Sequence, residues 1–87
     1  MAESDVSSGD IDVKILLQLH NMAAVRPDKA VKVEDVAKTL TIRIEELISR
    51  LAELVRGGYV ISLRDEAGNQ RFHLTGLGMI KVASLFS

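Results

Sequence analysis

Apolar residues recur along this chain in two periods, and the switches between them mark the expected elements. Ile11, Ile15, Leu19, Met22 and Ala23 share one helical face, widened by Leu16 and Leu17, and Asp10 before them suits an N-cap. Pro27 ends that pattern. Val31 and Val33 alternate about Lys32, the two-residue period of a short strand. Val33, Val36, Ala37 and Leu40 return to helical spacing. Ile44, Leu47, Ile48, Leu51, Leu54 and Val55 form a longer stripe, with Glu45, Glu46, Ser49, Glu53 and Arg56 pointing the other way. Only Thr41-Ile42-Arg43 separates these two units, a link so short that the helices must cross steeply. Gly57-Gly58 stops the second helix, because glycine enters the left-handed cap conformation without a steric penalty.

A hairpin follows. Tyr59-Val60-Ile61-Ser62-Leu63 is rich in β-branched and aromatic types, Asp65-Glu66-Ala67-Gly68-Asn69 is turn chemistry, and Arg71-Phe72-His73-Leu74 alternates polar with apolar. Thr75 suits the N-cap of a last helix from about Gly76 to Phe86. The expected order is helix, short strand, helix, helix, two-stranded hairpin, helix: a mainly α chain with a small β-wing.

Length leaves room for one domain, since 87 residues bury only about 60–65% of their unfolded surface. Residues 1–9 are small, polar and acidic, so a disordered tail is expected there and a folded domain over residues 10–87, with no secretory signal. No apolar run approaches the roughly 18 residues of a membrane span. Without cysteine there is no disulfide or thiolate metal site, and His20 and His73 lack metal-ligand spacing, so no metal or cofactor is expected. These features together point to a cytoplasmic protein.

Enzyme chemistry finds little purchase. There is no glycine-rich phosphate loop and no nucleophile elbow. The paired acids Glu34-Asp35, Glu45-Glu46 and Asp65-Glu66 fall on helix starts or a turn, where neighbouring carboxylates splay apart, so no catalytic residue is expected.

In this order and spacing the residues resemble the winged helix-turn-helix families of bacterial and archaeal transcription regulators over about Val31 to Gly78. Val36-Ala37 and Leu40 look like the second-helix core, and Leu51, Leu54, Gly58, Tyr59 and Val60 like the exit of the third helix into the wing. Leu74-Thr75-Gly76-Leu77-Gly78 is similar to the leucine-threonine-x-x-glycine that commonly closes the wing.

The resemblance implies binding to double-stranded DNA, with the third helix in the major groove and the wing on the backbone or minor groove. Carried over by position, the contacting residues are Arg43, Ser49 and Arg50, with Arg56 near the helix exit, Arg64, Asn69, Gln70 and Arg71 on the wing, and Lys38 on phosphate. Local roles stand beside these. Glu45 and Glu46 favour the helix dipole, Glu46 can pair with Arg50, Arg64 with Asp65 or Glu66, and Asn69 can serve the turn.

Charge pulls against the DNA reading. From position 11 onward eleven basic residues face nine acidic ones, whereas nucleic-acid binders usually carry a dense basic footprint. Two adjacent glutamates on the third helix also depart from the family pattern, so a protein-interaction module with an acidic third helix is the alternative. The last helix is apolar nearly all round, through Leu77, Met79, Ile80, Val82, Ala83, Leu85 and Phe86. A homodimer through Leu77, Ile80, Lys81, Ser84 and Leu85 would bury its free side; alternatively the first helix folds over it in a monomer.

Overall fold

A computed structural model describes the backbone of residues 3–85 and the side chains of residues 11–85. Among the described residues the helices are α1 (Glu3–Asn21), α2 (Val33–Leu40), α3 (Ile44–Arg56) and α4 (Gly76–Ser84). The strands are β1 (Val31–Lys32), β2 (Val60–Arg64) and β3 (Gln70–Leu74), with one 3₁₀ turn, Pro27–Lys29, before β1. The element order matches the expected one; the hairpin strands, β2 and β3, shift by one residue, and the helices at the two ends differ further. α1 starts at Glu3 rather than behind Asp10, so the backbone of the segment expected as a tail is helical from Glu3 onward. α4 ends at Ser84 with Leu85 as its cap, and Phe86, like Met1, Ala2 and Ser87, lies outside the described residues.

The sheet is antiparallel in the order β1-β3-β2. Val31 faces Phe72 across β1 and β3, while Val60 faces Leu74 and Ser62 faces Phe72 across β2 and β3. Because side chains alternate along a strand, this register puts Val60, Phe72 and Leu74 on one buried face. Ile15, Leu16 and Leu19 of α1, Val36 of α2, Leu47 and Leu51 of α3 and Val82 of α4 close the core over it. Each such side chain contributes about 1.5–3 kcal/mol by leaving water. No helix of the described residues is long and apolar enough to cross a membrane.

Two backbone devices set the angles on which α3 and the wing depend. Thr41 takes a left-handed conformation (φ 56°) and its N–H caps α2 on the Ala37 carbonyl, turning the chain sharply into α3. The leucine-threonine-x-x-glycine segment joins the wing to α4. Thr75 Oγ1 accepts from the Gly78 N–H at 3.0 Å and donates to the Gly58 carbonyl at 2.6 Å, while its own N–H donates to the Tyr59 carbonyl at 3.1 Å. Gly78 lies flat against that same Tyr59 carbonyl, where a Cβ would collide.

Candidate nucleic-acid interface

Successive α-helical residues are about 100° apart, so the direction opposite Leu47, Leu51 and Leu54 falls on Glu45, Ser49 and Arg56. Ala52 flanks this ridge on the wing side, Glu46 and Glu53 on the other, and all six are exposed. Arg56 Nη1 donates to Glu53 Oε2 at 2.8 Å. The outward face of α3 therefore carries three glutamates against one arginine. Glu45 and Glu46 stand in the first turn, where unpaired N–H groups favour negative charge.

Arg50 does not reach that face. It turns toward α1, where its Nη1 lies 3.7 Å from Asp12 Oδ1 with both side chains partly buried, so the expected Glu46 pairing is replaced by one between helices. Burial pushes the Asp12 carboxyl above its ordinary range, Arg50 pulls the other way without prevailing, and Glu53 adds repulsion. At 3.7 Å the guanidinium is too distant for a hydrogen bond, and Asp12 Oδ1 has no such partner.

On the wing the organiser is Asp65. Its Oδ1 accepts from the N–H groups of Ala67 at 3.0 Å and Asn69 at 2.9 Å, and its Oδ2 from Arg71 Nε at 2.7 Å. The Arg71 bond, followed by the Asn69 N–H, draws the Asp65 carboxyl down to about 2. Arg71 also donates to the Ala30 carbonyl at 3.2 Å, tying the wing to the segment before β1. The expected pairing of Arg64 with Asp65 or Glu66 does not form; Arg64 Nη1 caps the tip through the Gly68 carbonyl at 2.9 Å. Gly68 holds a φ of 86° there, which a side chain would strain. Gln70 Nε2 donates to Ser62 Oγ at 2.8 Å across the hairpin, and Asn69 Nδ2 approaches Asp65 Oδ2 at 3.5 Å.

Lys38, at the end of α2, and Arg43, the residue before α3, are exposed and have no ion pair or hydrogen bond through their side chains among the described residues. The expected contact set thus divides. Arg43, Ser49, Arg56 and Lys38 are exposed on or near α3, Asn69 and Arg71 are held by Asp65, Arg64 and Gln70 bond to Gly68 and Ser62 within the wing, and Arg50 belongs to the α1–α3 packing.

The stripe spacing overstated the burial of Ile44, Ile48 and Val55. Ile44 and Ile48 remain 41% and 44% exposed. Ile48, Ala52 and Val55 instead line, with Ser62, Gln70 and Phe72 of the wing, an open groove of about 240 Å³. On α4, Gly78 and Val82 face inward, with α1 packed beside the helix. Leu77, Ile80 and Leu85 stay exposed, Ile80 at 67%. Lys81 borders a second cavity with Asp12, Val13, Leu16, Leu54 and Tyr59, and Ser84 Oγ donates to the Lys81 carbonyl at 2.7 Å.

No protein-family model matches the chain, and no curated relative matches it by sequence. Solved structures do match by shape. A candidate DNA-binding protein of Ralstonia eutropha superposes with a TM-score of 0.74 at 22% identity, over 87% of this chain and 94% of that one. A MepR variant of S. aureus bound to an oligodeoxyribonucleotide gives a TM-score of 0.74 at 20% identity, over 98% of this chain and 64% of that one. Streptococcus pneumoniae FabT in complex with DNA gives 0.60 at 26% identity, over 64% of this chain and 41% of that one. This chain spans less than two thirds of the length of the latter two. The likeness is one of fold, and with the helix order, the β1-β3-β2 sheet and the hairpin it makes this chain a winged helix-turn-helix domain.

Proposed function

We propose that the chain is the DNA-binding domain of a transcription regulator, with α3 in the major groove of double-stranded DNA and the wing on the backbone or minor groove. The observation that supports this reading is the likeness of fold to FabT and a MepR variant, both solved with bound DNA. Ser49 and Arg56 then meet the groove from the outward ridge, Lys38, Arg43 and Arg64 meet phosphate, and Asn69, Gln70 and Arg71 support the wing's approach. Arg50 positions α3 on α1 through Asp12. The action is binding rather than catalysis, in the cytoplasm. Two copies joined through Leu77, Ile80 and Leu85, with Lys81 and Ser84 at the rim, would set two α3 helices about one DNA turn (~34 Å) apart.

One observation favours a second reading, a module that binds protein. The outward face of α3 is acidic and an apolar groove lies beside it. A salt series of fluorescence anisotropy on genomic duplex fragments separates the two. With about three phosphates neutralised per domain, the log-log slope should lie near −2.7 per domain. The double variant Arg43→Ala with Arg64→Ala should bind at least about tenfold more weakly. No binding near 50 mM salt, a low-salt condition in which phosphate contacts are strongest, decides for a protein partner.

A further inference from the structure

Within the acidic face of α3 the three glutamates are not equivalent. Glu53 is engaged by Arg56 at 2.8 Å. Glu46 lies on the flank away from the wing. Glu45 alone stands on the outermost ridge, exposed and with no side-chain hydrogen bond or ion pair among the described residues. It is also the second residue of α3, and the N-terminal residues of a helix entering the major groove are those that meet base edges.

A carboxylate at that position can only accept. Guanine presents two acceptors in the major groove, thymine an acceptor and a methyl group, and adenine an acceptor beside its amino group. Cytosine is the one base whose own edge offers a donor, its N4 amino group, without an acceptor beside it. Ile48 and Ala52, on the wing side of the ridge, bring no competing donor. The same charge is repelled by phosphate, so it weakens binding to every sequence while rewarding one base. We infer that Glu45 is a specificity-determining residue that accepts a hydrogen bond from the cytosine amino group, so that each half-site contains one fixed C·G pair. This rests on the DNA reading above.

Substituting Glu45→Gln keeps the side-chain shape and supplies an amide that matches adenine's donor and acceptor. The full chain, its Glu45→Gln variant and Glu46→Gln as a control are each used to select from a duplex library randomised over the site. Anisotropy titrations then compare duplexes differing at the selected pair. The wild type should fix a cytosine and prefer it over adenine by at least about fivefold, the low end of one base contact. Glu45→Gln should reverse that preference and bind random duplex more tightly, and Glu46→Gln should select the wild-type sequence. A Glu45→Gln variant that selects the wild-type sequence overturns the assignment and leaves the DNA reading standing. A wild-type chain that selects no duplex at low salt overturns both.

Discussion

Replacing Gly78 by alanine should bring the domain close to unfolding, although it adds a single methyl group at a helical position. The new Cβ would be driven into the Tyr59 carbonyl oxygen, with Leu74 Cδ2 at 3.0 Å and the Tyr59 carbonyl carbon at 3.2 Å on the same side. That carbonyl cannot retreat alone, because it accepts from the Thr75 N–H at 3.1 Å. Thr75 in turn holds the Gly78 N–H at 3.0 Å and the Gly58 carbonyl at 2.6 Å, so α4 must lift as a unit. Overpacking costs about 1–3 kcal/mol, loss of the Thr75 cap about 1 kcal/mol, and a stretched backbone hydrogen bond about 1 kcal/mol. The sum, about 3–5 kcal/mol, is a large share of the roughly 4–13 kcal/mol expected for a chain of this size. Gly76 is the control, since nothing lies within 4 Å of a Cβ built there. Gly76→Ala should stabilise by about 0.4–1 kcal/mol by restricting the unfolded chain. Urea denaturation followed by circular dichroism should show the midpoint falling for Gly78→Ala and rising for Gly76→Ala, with the slope unchanged. A Gly78→Ala loss under about 1 kcal/mol would refute the close approach of α4 to Tyr59.

Asp65 is drawn down to about 2, so its charged form stabilises the wing above the ordinary carboxylate range and that contribution disappears as pH falls through about 2. Asp65→Asn should therefore lower the denaturation midpoint at neutral pH, with the gap closing in acid; a gap undiminished at pH 2 contradicts this. Asp12 is displaced upward, so the fold prefers it protonated and loses stability as pH rises through its titration. Asp12→Asn should leave neutral-pH stability unchanged or slightly higher despite removing the partner of Arg50, and a clear loss would show that the ion pair outweighs its desolvation. Ile80 is 67% exposed on α4. Ile80→Glu should keep the fold and abolish self-association in sedimentation velocity at tens of micromolar, and a wild-type chain already monomeric there defeats the dimer.

The elements were legible in the chain because the interactions that define them are local. Helical spacing from Ile44 to Val55, alternation at Val31 and Val33, the Gly57-Gly58 stop and the Thr75 cap each depend on residues a few positions apart. The candidate interface was legible in its residue types and less so in their roles. Arg50 stands one turn after Glu46, yet its partner Asp12 comes from α1, and Arg71 reaches both Asp65 and the Ala30 carbonyl across the sheet. Spacing places Leu51 at the centre of the α3 stripe and Ile48 at its edge, but not that Leu51 is sealed in the core while Ile48 lies over an open groove. Periodicity records which way a side chain leaves its own helix. Whether another element waits there depends on how α1, α3 and the wing cross, and that is decided by core packing between segments distant in sequence.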